Sequence, residues 1–398
     1  MTLSKYLNQS FLLCRNVLIL LSFLLGQSAF AFKEDDRSSV IIKYHHVSNE
    51  TPFLTSISPE AFEAHMLHLS EMDFDVIPIT ELIKRIKERK MVRRKTAVIT
   101  FDDAYKSVYE TAWPILKRYG YPFSVYVNAE SVSLGQKHSM TWEQIKEMSD
   151  AGVQFANHTY THLHMIRKQE GESEQQWLER LDSEIDRTDA LIFENTGQKL
   201  NVLAYPFGEY NMELKAFLKD KDYVALAQHS GAVAEHSDLQ ALPRFPFGGH
   251  YTDLDDFKLK VASLALPVIH TRLGDGADIS MSSQVKEQDV ALFKFDRTGW
   301  VFDHDEAKPS IYMSVEMTLS QAKRLACYVT GQGRVESTLI LSEQEHRKVK
   351  GVISNISTLL PIGRSRINCT LPSKWSGRYY WYSQPFIRKD IGNQWYSE

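Results

Sequence analysis

Two carboxylates side by side, Asp102 and Asp103, close the apolar run Ala97 to Phe101, and two imidazoles four residues apart, His158 and His162, follow a second apolar run. Adjacent carboxylates at a strand end repel each other and lose hydration, so the pair calls for a cation nearby. Histidines at i and i+4 can share one face of a helical turn and grip one ion. With one carboxylate they form a two-histidine, one-carboxylate site whose open positions leave room for water and substrate. One aspartate is then held by the metal, while the other takes a proton from the water it activates. A hydrolase also needs an acid for its leaving group. The first candidate strand ends in Tyr44-His45-His46, and an imidazole with an ordinary pKa of about 6.5 suits donation to an amine.

These residues need elements to bring them together. Strand-like runs at Val40–Tyr44, Asp75–Ile79, Ala97–Phe101, Phe123–Asn128, Val153–Ala156, Val202–Tyr205 and Tyr223–Gln228 alternate with helical patterns. Ser58-Pro59 opens a helix over Glu60 to Met72, Thr80 is expected to cap Glu81 to Lys90, and Thr141 to cap Trp142 to Asp150. Ser173 to Glu194 carries apolar residues at helical spacing. Strand and helix in alternation imply an α/β fold, a distorted (β/α) barrel of about seven strands, with chemistry at the C-terminal strand ends. From Thr271 to Asp289 the composition turns to Gly, Asp, Ser, Thr and Gln. Beyond it, Val290–Phe295, Ile311–Met317, Ser337–Leu341 and Tyr379–Ser383 alternate as strands of an all-β sandwich-like domain.

The chain has 398 residues, 43% hydrophobic and 24% charged, which excludes wholesale disorder and a polytopic membrane protein. Lys5 and Arg15, the apolar run Val17 to Leu25 and Ala29-Phe30-Ala31 follow the order of a secretory signal peptide. The run is shorter than the roughly 20 residues of a membrane span. The expected organisation is a signal peptide over 1–31, a barrel over 32–274, a linker over 275–288 and a β-sandwich-like accessory domain over 289–398, with no membrane span once the leader is removed. Loss of Lys5 and Arg15 takes the formal charge from −4 to −6, which gives no global reason to bind nucleic acid. The basic cluster from Lys84 to Lys95 reads as a solvated helix face. Cys327 and Cys369 permit one disulfide in an exported compartment.

Thr100-Phe101-Asp102-Asp103, His158-x-x-x-His162 and Tyr205-Pro206-Phe207-Gly208, with Met140-Thr141-Trp142 and Leu242-Pro243-Arg244, resemble the ordered motifs of the NodB-homology polysaccharide deacetylases, a carbohydrate esterase family. The likeness spans about residues 39 to 250. It implies that Asp102 is the catalytic base, that Asp103, His158 and His162 hold one divalent metal ion, zinc first with cobalt, nickel and iron as alternatives, and that the Phe207 backbone N–H stabilises an oxyanion. Lys43-Tyr44-His45-His46-Val47 resembles the circularly permuted group that includes exported poly-N-acetylglucosamine deacetylases, which makes His45 the acid. His46 should point the other way on an alternating strand, and His164 should face away from a helical His158–His162 pair.

The family's third motif begins with an arginine where this chain has Ala204. Either Arg244 orients the base from another strand or Asp102 is less constrained. Asp238 is a guess for the fourth motif. The resemblance implies removal of N-acetyl groups from an N-acetylglucosamine-containing polysaccharide in the periplasm or outside the cell, with envelope polysaccharide-export components as candidate partners. A catalytically silent glycan-binding or assembly protein, and a deacetylase of O-acetyl esters or peptidoglycan, are the alternatives. The C-terminal aromatics Trp300, Trp375, Tyr379, Tyr380, Trp381, Tyr382 and Trp395 read first as core, and Gly377 to Trp381 is the place to look for a glycan platform.

Overall fold

Val, Ile and Phe dominate the strand runs with scarcely a polar break, because the sheet they build is covered on both faces. The computed structural model describes residues 35–93, 95–274, 284–286, 301–302, 310–342, 348–356, 361, 363–375 and 377–388. The expected signal peptide, the candidate strand Val290–Phe295, most of the expected linker, and Trp300 and Trp395 lie outside these residues. The segment Glu34–Glu398 is one compact unit.

Among the described residues, seven strands form a parallel barrel. They are β1 (Ser39–Tyr44), β2 (Thr96–Asp102), β3 (Phe123–Val127), β4 (Gln154–Asn157), β5 (Val202–Ala204), β6 (Val224–Leu226) and β7 (Phe245–Pro246). β1 to β6 pair in sequence order, and the outer edge of β1 pairs with β7, Ile42 opposite Phe245, and antiparallel with Ala232–Val233. The ring closes through a thin seam rather than a full strand. Leu242 bridges Leu226, the Ala227 N–H donates to the Leu242 carbonyl, and the Arg244 N–H donates to the His229 carbonyl. The barrel is therefore distorted at the place where Arg244 enters it.

Alternation sorts the side chains. Val40, Ile42, Ile99, Phe101, Val125 and Phe155 point outward against Phe62, Met66, Trp113, Leu116 and Ile145 of the surrounding helices. Ile41, Val98, Tyr126, Ala156, Ala204, Leu226 and Leu242 point inward, where Ile79, Leu82, Ile83 and Ile86 join them. Those four lie on the helix Ile79–Lys87, which plugs the N-terminal end of the barrel. Pro78, not the expected Thr80, takes the N-cap position; Thr80 lies inside the helix and its hydroxyl accepts from Gln154 Nε2. Its basic face is engaged in ion pairs, Arg85 with Glu81 and Asp75, and Lys87 with Asp222. Ser58 and Thr141 cap their helices as the sequence suggests, and Ser173 caps the helix Glu174–Thr196. Among the described residues no helix is long and apolar enough to cross a membrane.

After the helix Leu254–Val261 the chain enters two further sheets. One holds Leu264–Ala265, Ala326–Val329, Gly333–Val335, Gly363–Pro372 and Tyr379–Arg388, with Val301–Phe302 on its edge; the other holds His270–Gly274, Gln284–Lys286, Ser310–Thr318, Ser337–Leu341 and Lys348–Asn355. Their inner faces meet where Met313 Sδ lies 3.7 Å from Cys369 Sγ. Cys369 is bonded to Cys327 on the neighbouring strand. The aromatic run divides: Tyr380 is buried, as the core reading expected, while Tyr379 is 38% exposed. Tyr380 donates to the Asp35 carbonyl, and Trp381 packs edge-on against Phe245 of β7 at 5.4 Å, so the run ties sheet to barrel.

His65, among the histidines that fit no ligand spacing, is fully buried. It accepts from the Tyr44 hydroxyl (2.9 Å), donates to the Thr252 carbonyl (3.2 Å) and stacks on Phe257 at 3.9 Å. Burial pushes its pKa down to about 4. A histidine depressed below its unfolded pKa of about 6.5 contributes stability that is present above that value and lost as pH falls toward 4. In His65→Gln, unfolding followed against pH should show a shallower loss between pH 6.5 and 4, by up to about 1.36 kcal/mol per pH unit; an unchanged slope would show that His65 does not carry it.

Candidate metal and catalytic site

Inward alternation continues past the apolar layers to the C-terminal rim. Val98, Thr100 and Asp102 lie in line on β2, Ala156 on β4 with His158 just past its end, and Leu242 and Arg244 in the seam. Asp102 and Arg244 are both fully buried. Arg244 Nη1 and Nη2 donate to the two Asp102 oxygens at 2.7 and 2.8 Å, and Arg244 Nε donates to the Ala227 carbonyl at 2.9 Å. This fork answers the question raised by Ala204: the guanidinium comes from the seam. Burial alone would raise the Asp102 pKa, but Arg244 holds it well below the usual carboxylate range.

The backbone turns sharply after β2. Asp103 and Ala104 both have positive φ, 72° and 49°, a conformation that L side chains seldom adopt. The turn swings the Asp103 carboxylate toward β4. His158 Nε2 and His162 Nε2 each lie 3.4 Å from Asp103 Oδ1. His158 donates from Nδ1 to the Ala204 carbonyl at 2.7 Å, which leaves its Nε2 lone pair facing Asp103.

His158 and His162 converge, but not on a helical turn. The segment after β4 is an irregular loop with Thr159 and His162 at φ 62° and 58°, held by the Asn157 side chain at the Thr159 N–H and by Glu184 at Thr161. The helical reasoning also misplaces His164. It stacks flat on the Phe207 ring at 3.8 Å and donates to Glu209 at 2.7 Å, at the rim beside His162. A loop fixed by side chains from elsewhere leaves no period in the sequence.

His45 Nε2 sits 3.9 Å from Asp103 Oδ2, across from the two other imidazoles, whereas His46 turns away and stacks on Tyr105 at 3.6 Å. Burial and the Lys43 charge push His45 down to about 3, and burial pushes His162 down to about 4. Burial opposes charge on His158 too, but the nearby carboxylates of Asp103 and Asp102 hold its pKa above the ordinary value. A positive charge between His158 and Asp103 is thus favoured. Phe207 adopts φ 56°, and its ring lies 4.6 Å from that of His162. Gly208 is required next to it, because a Cβ there would meet Gln228 Cβ at 2.4 Å.

Lys43 was not singled out from the sequence. It is buried among Asp102, Asp103 and Arg244, and burial pushes its pKa down to about 7. The signal was present: Lys43 shares strand parity with Ile41 and His45, so it faces the barrel interior. Asp238 pairs with Lys215 and makes no hydrogen bond or ion pair with the site residues among the described residues.

The donor set fits a divalent metal. One oxygen each from Asp103 and one nitrogen each from His158 and His162 lie within 4.8 Å of one another. Asp103 Oδ1 is buried with no hydrogen-bond partner among the described residues, a cost that a cation would remove.

The model of the family described as polysaccharide deacetylase matches residues 89–226, which include Asp102, Asp103, His158, His162 and Phe207. YxkH of Bacillus subtilis (strain 168), a protein named for the polysaccharide deacetylases, is 31% identical over 224 residues, covering 53% of this chain and 76% of YxkH. The chain belongs to the polysaccharide deacetylase family. A poly-beta-1,6-N-acetyl-D-glucosamine N-deacetylase of Staphylococcus epidermidis is 24% identical over 235 residues, covering 53% of this chain and 80% of that protein. Among solved structures, IcaB from Ammonifex degensii overlays with a TM-score of 0.48 at 23% identity, over 57% of this chain and 97% of that one. A de-N-acetylase from Aggregatibacter actinomycetemcomitans overlays at 0.49 and 20% identity, over 56% and 98%.

Two measurements probe the deacetylase site directly. Calorimetric titration of the metal-stripped protein should show one divalent ion, and His162→Ala should weaken it more than about 100-fold. At a free metal concentration a hundredfold above Kd, unfolding should cost about 2.7 kcal/mol more; no shift, or equal binding by the variant, would place the ion elsewhere. Removing one partner of the buried pair, in Arg244→Ala, should cost about 3–5 kcal/mol in denaturant unfolding, and a loss under 1 kcal/mol would show that the fork is not under load.

Proposed function

We propose that this protein is an exported, metal-dependent deacetylase that removes N-acetyl groups from an N-acetylglucosamine-containing polysaccharide. The observation that carries the reading is the convergence of Asp103, His158 and His162 beside an Asp102 gripped at both oxygens by Arg244, with His45 opposite. The similarity to N-deacetylases of poly-beta-1,6-N-acetyl-D-glucosamine supports the substrate class. The basic, apolar and Ala29-Phe30-Ala31 order of the N-terminus supports export.

Asp103, His158 and His162 hold the ion, zinc first among the alternatives. Such an ion, when bound, polarises the amide carbonyl and lowers the pKa of water. The chain's own groups do the rest. A carboxylate has about four lone-pair sites; Arg244 takes one on each Asp102 oxygen and leaves a site on the rim side. Asp102, kept ionised by Arg244, accepts a proton from the attacking water as its oxygen bonds to the acetyl carbon. The Phe207 N–H donates to the oxygen that becomes negative. His45, neutral in the free site, takes up a proton from solvent as that charge builds beside it and passes it to the departing nitrogen, and Asp102 returns its proton to solvent. The C–N bond breaks, leaving acetate and a free amine.

Acetate release from N-acetylglucosamine oligomers, with and without chelator, tests the reading. Asp102→Asn should lower the rate by about 10²–10⁴-fold while metal affinity stays within a few-fold, and His45→Ala should lower it with metal affinity retained. Glycan binding with no acetate from any N-acetylated oligomer would replace the reading with a silent binding protein, and release from O-acetyl esters alone would move the substrate class.

A further inference from the structure

A small cleft opens between the catalytic rim and the accessory sheet. Gly208, Gln228 and His229 line it from the barrel, and Thr330, Arg364, Ser365, Arg366 and Pro385 line it from the sheet, around about 180 Å³. The cleft adjoins the chemistry through one residue. Arg364, on the strand Gly363–Pro372, donates a hydrogen bond to the carbonyl of Phe207, the residue whose N–H faces the oxyanion in the proposed function.

The electrostatics of this cleft are unbalanced. Among the described residues neither Arg364 nor Arg366 has a carboxylate within ion-pair distance. Glu209 is near enough for Arg364 to feel its charge, but its carboxylate is taken by His164. Arg364 is exposed and Arg366 half-buried, and Arg364 feels the opposing charges of Glu209 and Arg366. His229 Nδ1, on a residue 8% exposed, also lacks a partner among the described residues. Two guanidinium groups that no carboxylate pairs keep their donors open to an anion. Arginine's planar fork matches a carboxylate, phosphate or sulfate. At this volume the cleft falls short of the roughly 300 Å³ at which small-molecule sites begin, so it suits a substituent and not an oligosaccharide.

We propose that Arg364, Arg366 and His229 form an anion-recognising subsite beside the catalytic rim, and that the substrate is an N-acetylated glycan bearing an oxyanion group on a unit close to the acetamide. The inference deepens the deacetylase reading and rests on it for the acetamide. It gives the accessory sheet a role in choosing substrate, through charge.

The test compares two probes on the full mature protein: a tetrasaccharide alternating N-acetylglucosamine with glucuronate, and the neutral N-acetylglucosamine tetramer. The acidic probe should have the higher kcat/KM and bind tighter by calorimetry, with an affinity that falls as salt rises. Arg366→Gln should cut the acidic-to-neutral ratio about tenfold, or about 1.4 kcal/mol, and Arg366→Lys should restore part of it. Inorganic sulfate and phosphate should compete with the acidic probe in the native protein and lose that effect in Arg366→Gln, which separates the anion from the sugar carrying it. Equal kcat/KM for both probes, or an equal fall on both in Arg366→Gln, overturns the subsite. If neither probe releases acetate, the deacetylase reading fails on its own, and calorimetry still decides the subsite by whether the acidic probe's advantage disappears in Arg366→Gln.

Discussion

The buried pair of Asp102 and Arg244 is the constraint on which the rest of the structure turns. Taking either ion out of water costs several kcal/mol, and the attraction between them offsets this only when the geometry is good and the remaining donors are satisfied. Here both conditions hold, because the fork is bidentate and Arg244 Nε has the Ala227 carbonyl. That carbonyl belongs to the residue following β6, and Arg244's own N–H is tied to His229. The closure of the barrel and the orientation of Asp102 are thus one event. Lys43 below and Asp103 above bring the cluster to two positive and two negative groups, so charge this deep is close to neutral.

The backbone carries a matching load. Of the eight non-glycine residues at positive φ among the described residues, Asp103, Ala104, Thr159, His162 and Phe207 lie at the rim. Each such conformation costs about 1–3 kcal/mol and persists only where its surroundings over-determine it. The restraints are visible: Asn157 at Thr159, Glu184 at Thr161, His164 stacked on Phe207, and Arg364 at the Phe207 carbonyl. The same turns that strain the chain aim Asp103 and His162 at one point.

Strands of period two with their polar residues just past the apolar run made the barrel and its rim legible in the sequence; which of the rim residues are ligands, base and acid came from the resemblance to the polysaccharide deacetylases, with strand alternation adding only the preference for His45 over His46. What escaped was set by contacts distant in sequence. The His158–His162 spacing suggested a helical turn, but a loop pinned by Asn157 and Glu184 meets the same distance. Thr80 looked like a cap until Gln154 claimed its hydroxyl. Trp381 belonged to an aromatic run with two plausible homes, and only the position of Phe245 decided for the seam between sheet and barrel. Lys43 was readable by parity, yet a lysine inside a barrel runs against the burial rule and makes sense only once Asp102 and Asp103 are placed.

Ala204 shows how one departure from a family pattern can be compensated. Its side chain is buried in the barrel interior and its carbonyl takes the His158 Nδ1 proton, so the position still serves the site through the backbone. An arginine at 204 would add a third cation to an interior that already holds Arg244 and Lys43, with no third carboxylate deep enough to balance it. The guanidinium in the seam and the alanine on β5 are therefore mutually dependent. Moving the base's partner from a full strand to the seam also makes its position depend on the register of β7 against β1. On β7, Phe245 directly follows Arg244 and bears the ring of Trp381. A shift of the accessory sheet would reach Asp102 through two covalently adjacent residues, which is a physical reason for sheet and barrel to fold as a single unit.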